Sequence, residues 1–438
     1  MNAPEPVDLV IDARYIVPVE PAGTLVDHAL VVDAGRIVAL APSISVTDDY
    51  APRMRVALSQ HALIPGLVNA HTHAAMTLMR GIADDVPLKT WLEDHIWPCE
   101  GRNVSPDFVA DGTLHAAAEM LRGGITCVSD MYFYPDAAAR AYESAGMRAL
   151  IGMPVLDFPT PYASDADAYL AKGFAARDAY KHSPRLTFAL APHAPYTVSD
   201  ETWHKVVMYA RQLDLAIHTH VAETRAEVDN ARAASGESPV LRLDRLGATG
   251  PSFIGVHAVW LDAADIETLA TQQCNVVHCP VSNMKLASGI APVAALMARG
   301  VNVALGTDGA ASNNRLDLFA EMRIASLLAK VATHDAAILS ADTALRMATL
   351  NGAVAMGLDG EIGSLAVGKQ ADAVAVDLSG VDELPMYDLV SHLVHVAGRD
   401  RVTDVWIGGQ RIVEGRRLLT IDESVVTTRA RAWQQRIQ

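Results

Sequence analysis

Eight short apolar runs alternate with longer amphipathic segments through the middle of the chain. Helical patterns lie between the runs, for example over residues 199–213 and 262–272. The runs span residues 61–73, 125–132, 148–156, 186–194, 215–223, 253–260, 274–282 and 301–309. Strands that alternate with helices in this way predict an α/β fold in which a parallel sheet closes into a (β/α)8 TIM barrel.

The two ends of the chain show a different pattern. Residues 8–19 and 29–42 are rich in β-branched side chains that partly alternate with polar ones, and residues 371–378 and 402–418 repeat this pattern. These segments predict short strands with glycine turns between them. We therefore predict a small β-sandwich domain that is built from both chain termini. The expected division is residues 1–62 for its first part, 63–360 for the barrel and 361–438 for its second part.

Composition narrows the possible partners and the compartment. The chain has 438 residues, and its 51 acidic residues outnumber the 35 basic ones, so we expect no nucleic-acid partner. No apolar stretch approaches the length of a membrane span. The first residues show no basic stretch followed by an apolar run, so we expect no signal peptide. The four cysteines form no CxxC pair, which is typical of a reducing compartment. These features predict a cytoplasmic protein without a membrane partner.

His71 and His73 end one of the apolar runs, with a single residue between them. Residues at this spacing point to the same face of a strand, so both imidazoles can reach one ion. Further titratable residues recur at the ends of other runs, namely His193, His218, His220, Glu223, His257 and Asp308. Because barrel active sites form at the carboxyl ends of the strands, this recurrence predicts one site where these side chains converge.

The predicted cluster of imidazoles with a carboxylate suits a metal ion. Such donors bind Zn²⁺, and also Fe²⁺ or Mn²⁺, so we predict one divalent metal per subunit, with zinc as the first candidate. The candidate ligands are His71, His73, His220 and Asp308. His218 shares the face of His220, and spacing does not choose between these two histidines. A second metal on a carbamylated lysine is not expected, because residues 148–158 and 186–194 contain no lysine.

Three residues beside the predicted metal are candidates for catalysis. Asp308 is expected to accept a proton from a water molecule whose pKa the ion lowers towards neutrality. Glu223 follows His220 by three residues and is expected to carry protons to a leaving group. The alternative for Glu223 is a helix N-terminal glutamate that the helix dipole favours. His257 is expected to donate a hydrogen bond to developing oxyanion charge.

Several motifs resemble those of the amidohydrolase superfamily, in its mononuclear branch. The resemblance extends over nearly the whole chain and is carried by residues 65–73, 220–223, 256–258, 306–314, 368–377 and 405–415. In that family the second histidine of the HxHxxE stretch is the metal ligand. The resemblance therefore implies that His220 is the ligand and that His218 supports the site.

Within the superfamily the chain resembles the 5-methylthioadenosine/S-adenosylhomocysteine deaminases. Residues 78–102 are similar to their loop after the first strand, in which a tryptophan lines the pocket and a glutamate binds the ribose hydroxyls. The resemblance implies that the substrate, a free purine nucleoside, contacts Trp91, Glu100, His193, Glu223, Asp308 and Ser312. It implies hydrolytic deamination of the adenine ring, which yields the inosine derivative and ammonia, with Glu223 protonating N1 and then the departing ammonia.

One departure from the family limits this expectation. Some members have an arginine that meets a homocysteine carboxylate, and residues 156–174 contain no arginine, which favours a methylthio substrate. The alternative function is that of another mononuclear amidohydrolase, such as a guanine or cytosine deaminase or an s-triazine hydrolase. A non-catalytic barrel is disfavoured because all four candidate ligands are present. By resemblance, and because most soluble oligomers are symmetric, we expect a homodimer or homotetramer.

Overall fold

The computed structural model describes residues 3–438, and over this range the chain forms sixteen strands in two sheets. The strands are β1 (Glu5–Ile16), β2 (Leu25–Asp33), β3 (Arg36–Pro42), β4 (Tyr50–Pro65), β5 (Leu67–Thr72), β6 (Ile125–Met131), β7 (Arg148–Val155), β8 (Leu186–Pro192), β9 (Ala216–Val221), β10 (Phe253–His257), β11 (Asn275–His278), β12 (Asn302–Leu305), β13 (Ala373–Asp377), β14 (Val402–Ile407), β15 (Gln410–Glu414) and β16 (Arg417–Leu418).

Strands β5 to β12 lie side by side in chain order, and every neighbouring pair is parallel. Each of them falls within one of the eight apolar runs. Their residues are almost all buried, because helices cover the outside of the sheet and side chains fill its inside. The predicted α/β fold with a (β/α)8 TIM barrel is therefore confirmed.

The first and last barrel strands meet through a few specific hydrogen bonds. The main-chain N–H of Asp308, just beyond β12, donates to the carbonyl of His71 in β5 (3.1 Å). The side-chain oxygen of Asn69 accepts the N–H of Thr307 (2.9 Å). The barrel is thus closed at the strand ends, where both segments carry predicted metal ligands.

The strands from the two chain ends form one mixed sheet, in the order β16-β15-β14-β13-β4-β1-β2-β3. Strand β4 from the N-terminal part pairs with β13 from the C-terminal part. Ile11, Leu63 and Trp406 belong to a single apolar cluster, so both ends of the chain share a core. A strand domain built from both termini is therefore confirmed. Strand β4 runs to Pro65, close to the predicted boundary at residue 62, and the exact division of the domains stays a prediction.

Helices connect the barrel strands and cover the barrel mouth. They are α1 (Val46–Asp49), α2 (Leu88–Thr90), α3 (Trp97–Asn103), α4 (Pro106–Arg122), α5 (Pro135–Ala145), α6 (Ala166–Tyr180), α7 (Asp200–Leu213), α8 (Arg225–Ser235), α9 (Pro239–Arg245), α10 (Ala263–Thr271), α11 (Pro280–Lys285), α12 (Val293–Ala298), α13 (Ala310–Asn313), α14 (Leu318–Thr333), α15 (Ala341–Met347), α16 (Leu350–Ala355), α17 (Leu389–His395) and α18 (Glu423–Ile437). A 3₁₀ segment, Ala74–Met79, follows β5, and a π-helical segment, Trp91–Ile96, joins α2 to α3. Among residues 3–438, no helix combines the length and the apolar character needed to cross a bilayer.

Candidate active site

The predicted site residues meet at the carboxyl ends of the barrel strands. A cavity of about 320 Å³ opens there, a size that suits a small molecule. Nine of the ten predicted residues line it, namely His73, Trp91, Glu100, His193, His220, Glu223, His257, Asp308 and Ser312. The tenth, His71, is buried in β5, and its ring centroid lies 4.7 Å from that of His73. The structure thus brings all ten residues to one place.

Four of these side chains place a nitrogen or oxygen atom within a small space. Nε2 of His71 lies 3.2 Å from Nε2 of His220 and 3.4 Å from Oδ1 of Asp308. Nε2 of His73 lies 3.2 Å from the same oxygen. A second, overlapping group joins His71 and His220 to His257, with ligand atoms within 4.8 Å of one another. The arrangement can hold one metal ion.

The spacing and the charge of these donors fit a zinc-sized ion. Zinc binds imidazole and carboxylate at about 2.0–2.2 Å in a tetrahedron, which places neighbouring ligand atoms about 3.4 Å apart. The observed separations are 3.2 and 3.4 Å. Burial lowers the pKa of His71 to about 3 and that of His220 well below its usual range, so both rings are neutral, as a metal requires. Burial acts in the same way on His73, but the Asp308 carboxylate outweighs it and raises the pKa to about 9. A bound cation would displace that proton.

Hydrogen bonds on the far side of two imidazoles select the nitrogen that faces the cluster. Nδ1 of His73 donates to the carbonyl of Met131 (2.5 Å), and Nδ1 of His220 donates to the carbonyl of His193 (2.7 Å). A carbonyl only accepts, so Nδ1 carries a proton in both rings. Nε2 is therefore the nitrogen that each ring offers to a metal.

His218 lies behind His71 and not in the cluster. Its Nε2 is 2.9 Å from Nδ1 of His71, and its Nδ1 is 3.1 Å from Oγ of Ser129. In a consistent set of donors, Nδ1–H of His71 donates to His218, whose own Nδ1–H donates to Ser129. This leaves Nε2 of His71 for a metal. The two histidines that spacing leaves equivalent are thus separated in the structure, with His220 in the cluster and His218 supporting His71.

Asp308 lies three residues beyond the end of β12 in a left-handed backbone conformation, with a φ of 59°. Its Oδ2 accepts hydrogen bonds from the hydroxyls of Ser282 (2.7 Å) and Ser312 (2.6 Å), which fixes the carboxylate and leaves Oδ1 beside the imidazoles. Burial would raise the pKa of Asp308, but His71 and His73 outweigh burial and hold the pKa well below its usual value. Ser312 therefore positions Asp308, in addition to lining the cavity.

Glu223 and His257 lie side by side at the edge of the cluster. Oε2 of Glu223 is 3.8 Å from Nε2 of His257, and Oε1 accepts a hydrogen bond from the hydroxyl of Ser288 (3.2 Å). Nδ1 of His257 is 2.9 Å from Oδ1 of Asn283, which orients the ring. Burial raises the pKa of Glu223, although His257 opposes this effect, and a raised pKa is what a carboxyl group that donates protons needs.

The segment from α2 to α3 brings Trp91 and Glu100 to the cavity. Trp91 is buried, and among residues 3–438 its Nε1–H finds no acceptor. Glu100 accepts a hydrogen bond from the hydroxyl of Tyr132 (2.7 Å). Burial raises the pKa of Glu100 to about 7, although Tyr132 and His73 act in the opposite direction.

Several residues of the cavity carry no clear signal in the sequence pattern. Tyr132, which holds Glu100, directly follows β6, and its place after a barrel strand is the one signal that could have identified it. Ser282 and Asn283 lie in the short helix α11 and act through other side chains. One wall consists of Phe133, Leu156, Phe158, Pro159, Thr160 and Pro161. This wall is uncharged, in agreement with the absence of an arginine from residues 156–174.

Comparison with known proteins relates this site to a family. Residues 62–412 match the Amidohydrolase family. The chain is 47% identical to a 5-methylthioadenosine/S-adenosylhomocysteine deaminase of Saccharophagus degradans, over 100% of this chain and 98% of the relative. It is 40% identical to a 5'-deoxyadenosine deaminase of Methanosarcina acetivorans, over 97% of each chain.

A solved structure is also highly similar. It is the crystal structure of an adenosine deaminase from Xanthomonas campestris with bound zinc, which is 49% identical to this chain. The TM-score is 0.98, and the match covers 99% of each chain. Together with the family match over most of the sequence, these relatives show that the chain belongs to the amidohydrolase family.

Proposed function

We propose that this chain is a zinc-dependent deaminase of adenosines that carry a 5′ substituent. Water adds to C6 of the adenine ring, the bond from C6 to the amino nitrogen breaks, and the inosine derivative and ammonia leave. The expected substrates are 5′-methylthioadenosine and S-adenosylhomocysteine, which the names of full-length relatives support. The main observation behind this proposal is the cluster of three imidazoles and one carboxylate at the cavity, in which neighbouring nitrogen and oxygen atoms lie 3.2–3.4 Å apart.

We assign His71, His73, His220 and Asp308 as the ligands of one divalent metal per subunit. The donor set and the zinc in the similar Xanthomonas campestris structure support zinc over iron or manganese. When bound, such an ion supplies Lewis acidity that lowers the pKa of a water molecule towards neutrality. The chain's own contribution is to hold the ligand atoms in place through the carbonyls and hydroxyls behind them.

The proton transfers fall to the two carboxyl groups. Asp308 takes a proton from the attacking water, and the protonated form of Glu223, which the burial of this group favours by raising its pKa, donates to N1 of the ring. C6 is then tetrahedral, with a hydroxyl and an amino group. As the bond to nitrogen breaks, Glu223 takes up the hydroxyl proton, and the proton that Asp308 took from water passes to the departing amino group, which leaves as ammonia. Both carboxyl groups thus return to their starting states. His257, oriented by Asn283, is assigned to hydrogen-bond the attacking oxygen.

The other lining residues are assigned to substrate binding. Glu100 is a carboxylate at a cavity wall, and we assign it to the two ribose hydroxyls, which are donors of matching chemistry. The free Nε1–H of Trp91 and the ring of His193 complete the contacts with the nucleoside. We assign Ser312 to a position beside the base, because its hydroxyl donates a hydrogen bond to Asp308.

The cavity lining favours an uncharged 5′ group. Among residues 3–438, none of the side chains that line the cavity carries an amine or a guanidinium group. The wall at 156–161 is apolar apart from Thr160, so a methylthio or methyl group finds matching surface there. The carboxylate of a homocysteine group would meet no cation. We therefore expect 5′-methylthioadenosine to be preferred to S-adenosylhomocysteine.

A substrate panel tests the proposal. The kcat/KM values for 5′-methylthioadenosine, S-adenosylhomocysteine and adenosine are measured by ultraviolet absorbance and ammonia release. We expect the methylthio compound to exceed S-adenosylhomocysteine by about tenfold, the effect of one unpaired charge. Turnover of guanine, cytosine or an s-triazine without turnover of these nucleosides would show that the proposed function is wrong.

A single substitution tests the assignment of the 5′ wall. Phe158 lines the cavity and is 40% exposed, so a longer charged side chain fits there. Phe158→Arg should raise kcat/KM for S-adenosylhomocysteine and leave that for 5′-methylthioadenosine similar or lower. Phe158→Leu is the matched control. An equal change for both substrates in Phe158→Arg would contradict this assignment.

Location and assembly complete the proposal. The four cysteines are all free and buried, which supports a reducing compartment, and we place the protein in the cytoplasm. We also propose a homodimer or homotetramer, which light scattering on the purified protein would measure directly.

A further inference from the structure

We propose that a second cavity, between helix α4 and the C-terminal elements, binds a small oxyanion with two negative charges. The cavity has a volume of about 390 Å³ and, within residues 3–438, shares no lining residue with the candidate active site. Helix α4 lines one side, and helix α18 and strand β16 line the other. Its charged lining residues are Arg80, Glu119, Arg122, Arg399, Arg416 and Glu423.

The arginines of this cavity outnumber its carboxylates by four to two. Both carboxylates are already paired. Glu119 accepts hydrogen bonds from Arg80 at Oε2 and from Nη1 of Arg399 at Oε1 (2.7 Å). Glu423 accepts from Nη1 of Arg122 (3.2 Å). The lining itself therefore carries two more positive than negative charges.

Arg416 is the arginine of the cavity that has no carboxylate partner among the described residues. Its three side-chain hydrogen bonds there all run from Nη1 to main-chain carbonyls, those of Arg399 (3.2 Å), Asp400 and Val402 (2.8 Å). This leaves Nε and Nη2 without an acceptor in residues 3–438. Burial lowers the pKa of Arg416, and the charges of Arg122 and Arg399 add to this effect, although Asp400 opposes it. The surroundings of Arg416 are therefore short of negative charge.

Two side-chain nitrogen atoms of the lining residues have no partner among the described residues. Nε of Arg122 and Nδ1 of His115 are both buried and have no hydrogen-bond partner within residues 3–438. Asp317 lies 3.9 Å from Arg399 but pairs more closely with Arg315 (3.2 Å). The whole chain carries a net charge of −16, so an excess of positive charge in one cavity is a local feature and not a property of the surface in general.

The phosphate group has the chemistry that these donors would recognise. Guanidinium groups match its geometry with two parallel hydrogen bonds, and a dianion would neutralise the excess charge. The group could come from inorganic phosphate or from a small phosphate monoester, and the cavity has room for either. Inorganic phosphate and ribose 5-phosphate are therefore the two probes.

The test uses the full-length, zinc-loaded protein. Its melting temperature is measured in rising concentrations of each probe, against sodium chloride at the same ionic strength, and binding is measured by calorimetry. We expect a saturable rise that chloride does not give, and an apparent affinity about tenfold weaker in Arg416→Gln, the cost of one charge-assisted hydrogen bond. A stronger effect of ribose 5-phosphate would assign the site to a monoester, and equal effects would assign it to phosphate itself.

Two further variants keep the test decisive. Arg53→Gln is the matched control, because Arg53 is an exposed arginine of the terminal sheet that pairs with Asp8. It should bind phosphate like the unchanged protein. Arg122→Gln, at a partly exposed position, replaces Arg416→Gln if that variant does not fold. The same phosphate response with and without these cavity arginines, or no response beyond that of chloride, would overturn the proposal, because phosphate would then act at the metal or as a general stabiliser.

Discussion

Some residues of the site act only through a neighbour, and Glu227 is the clearest case. This side chain of α8 accepts hydrogen bonds from the main-chain N–H groups of Ala222 (2.9 Å) and Glu223 (2.8 Å). Ala222 has a φ of 50°, a left-handed conformation that a residue with a side chain adopts at a cost. The carboxylate of Glu227 therefore holds the turn that carries Glu223 to the cavity. Glu227 is a positioning residue.

We predict that Glu227→Gln lowers kcat by about tenfold to a hundredfold, as is typical for loss of a supporting hydrogen bond. The amide has one accepting oxygen where the carboxylate has two, so one of the two N–H groups loses its partner. KM and zinc content should stay near the unchanged values, because Glu227 contacts neither the ligands nor the cavity. Steady-state kinetics and metal analysis measure this, with Glu201→Gln on an exposed part of α7 as the control. A loss of zinc in parallel with kcat would contradict a role confined to Glu223.

Glu100 provides a prediction about pH. Burial raises its pKa to about 7, so the fraction of carboxylate, the form that accepts two ribose hydroxyls, increases from pH 6 to pH 8. We predict that kcat/KM for nucleosides rises over this range and that Glu100→Gln removes the rise.

Tyr132 supplies the control for this pH dependence. Its hydroxyl donates to Glu100 and lowers the pKa of that carboxyl group. Tyr132→Phe should therefore move the rise in kcat/KM to higher pH. A pH profile that is the same in Glu100→Gln and in the unchanged protein would assign the titration to another group.

At the scale of strands and helices, the sequence pattern predicts the barrel well because its strands are buried on both faces. Such strands appear as continuous apolar runs, and the titratable residues at the ends of five of the eight runs identify the catalytic end. The contact between Glu100 and Tyr132 could not be predicted in this way. It depends on how the segment from α2 to α3 lies across the barrel mouth, and that path is set by tertiary packing. Spacing alone likewise does not choose between His218 and His220, which the family resemblance separates and which differ in their contacts in the structure.

The packing of α4 on the 3₁₀ segment after β5 yields a prediction at this scale. A Cβ at Gly112 of α4 would lie 2.5 Å from the carbonyl oxygen of Ala75. The segment begins next to His73, so moving it disturbs a metal ligand. In an open helix, replacing glycine with alanine adds about 0.5–1 kcal/mol of stability, but the overpacking here costs about 1–3 kcal/mol.

We therefore expect Gly112→Ala to lower the melting temperature and to weaken zinc binding. Gly101→Ala is the matched control, because Gly101 also lies in a helix and no atom stands within 4 Å of its added Cβ. Thermal unfolding of both variants, with and without a chelator, separates the loss of stability through overpacking from the loss of zinc binding. An unchanged melting temperature in Gly112→Ala would show that the segment can move aside at no cost.

For the whole molecule, the two ends of the chain are tied to the barrel by contacts between residues far apart in sequence. Arg148 of β7 donates through Nε to Oδ2 of Asp372 (2.7 Å), and both side chains are buried. The N–H of Gly408, at the turn between β14 and β15, donates to Oδ1 of the same aspartate (2.7 Å). Composition and strand pattern indicate that the ends form one domain, but this ion pair follows only from the three-dimensional arrangement. The barrel and the terminal sheet are thus joined through a buried charge pair.

The metal should contribute to the stability of this whole assembly. Without a cation, the Nε2 atoms of His71, His73 and His220 face one another and Oδ1 of Asp308 with no ion between them, which is costly for groups removed from water. A ligand that binds only the folded state stabilises it by about 2.7 kcal/mol at a concentration of 100 times its Kd. We therefore predict that a chelator lowers the melting temperature and that added zinc restores it. His220→Ala should show little difference between the two conditions, whereas His182→Ala, at an exposed position, should respond like the unchanged protein. If the metal-free protein melted at the same temperature as the zinc-loaded one, the cluster would already be satisfied without a cation, and the assignment of these four side chains as ligands would lose its physical basis.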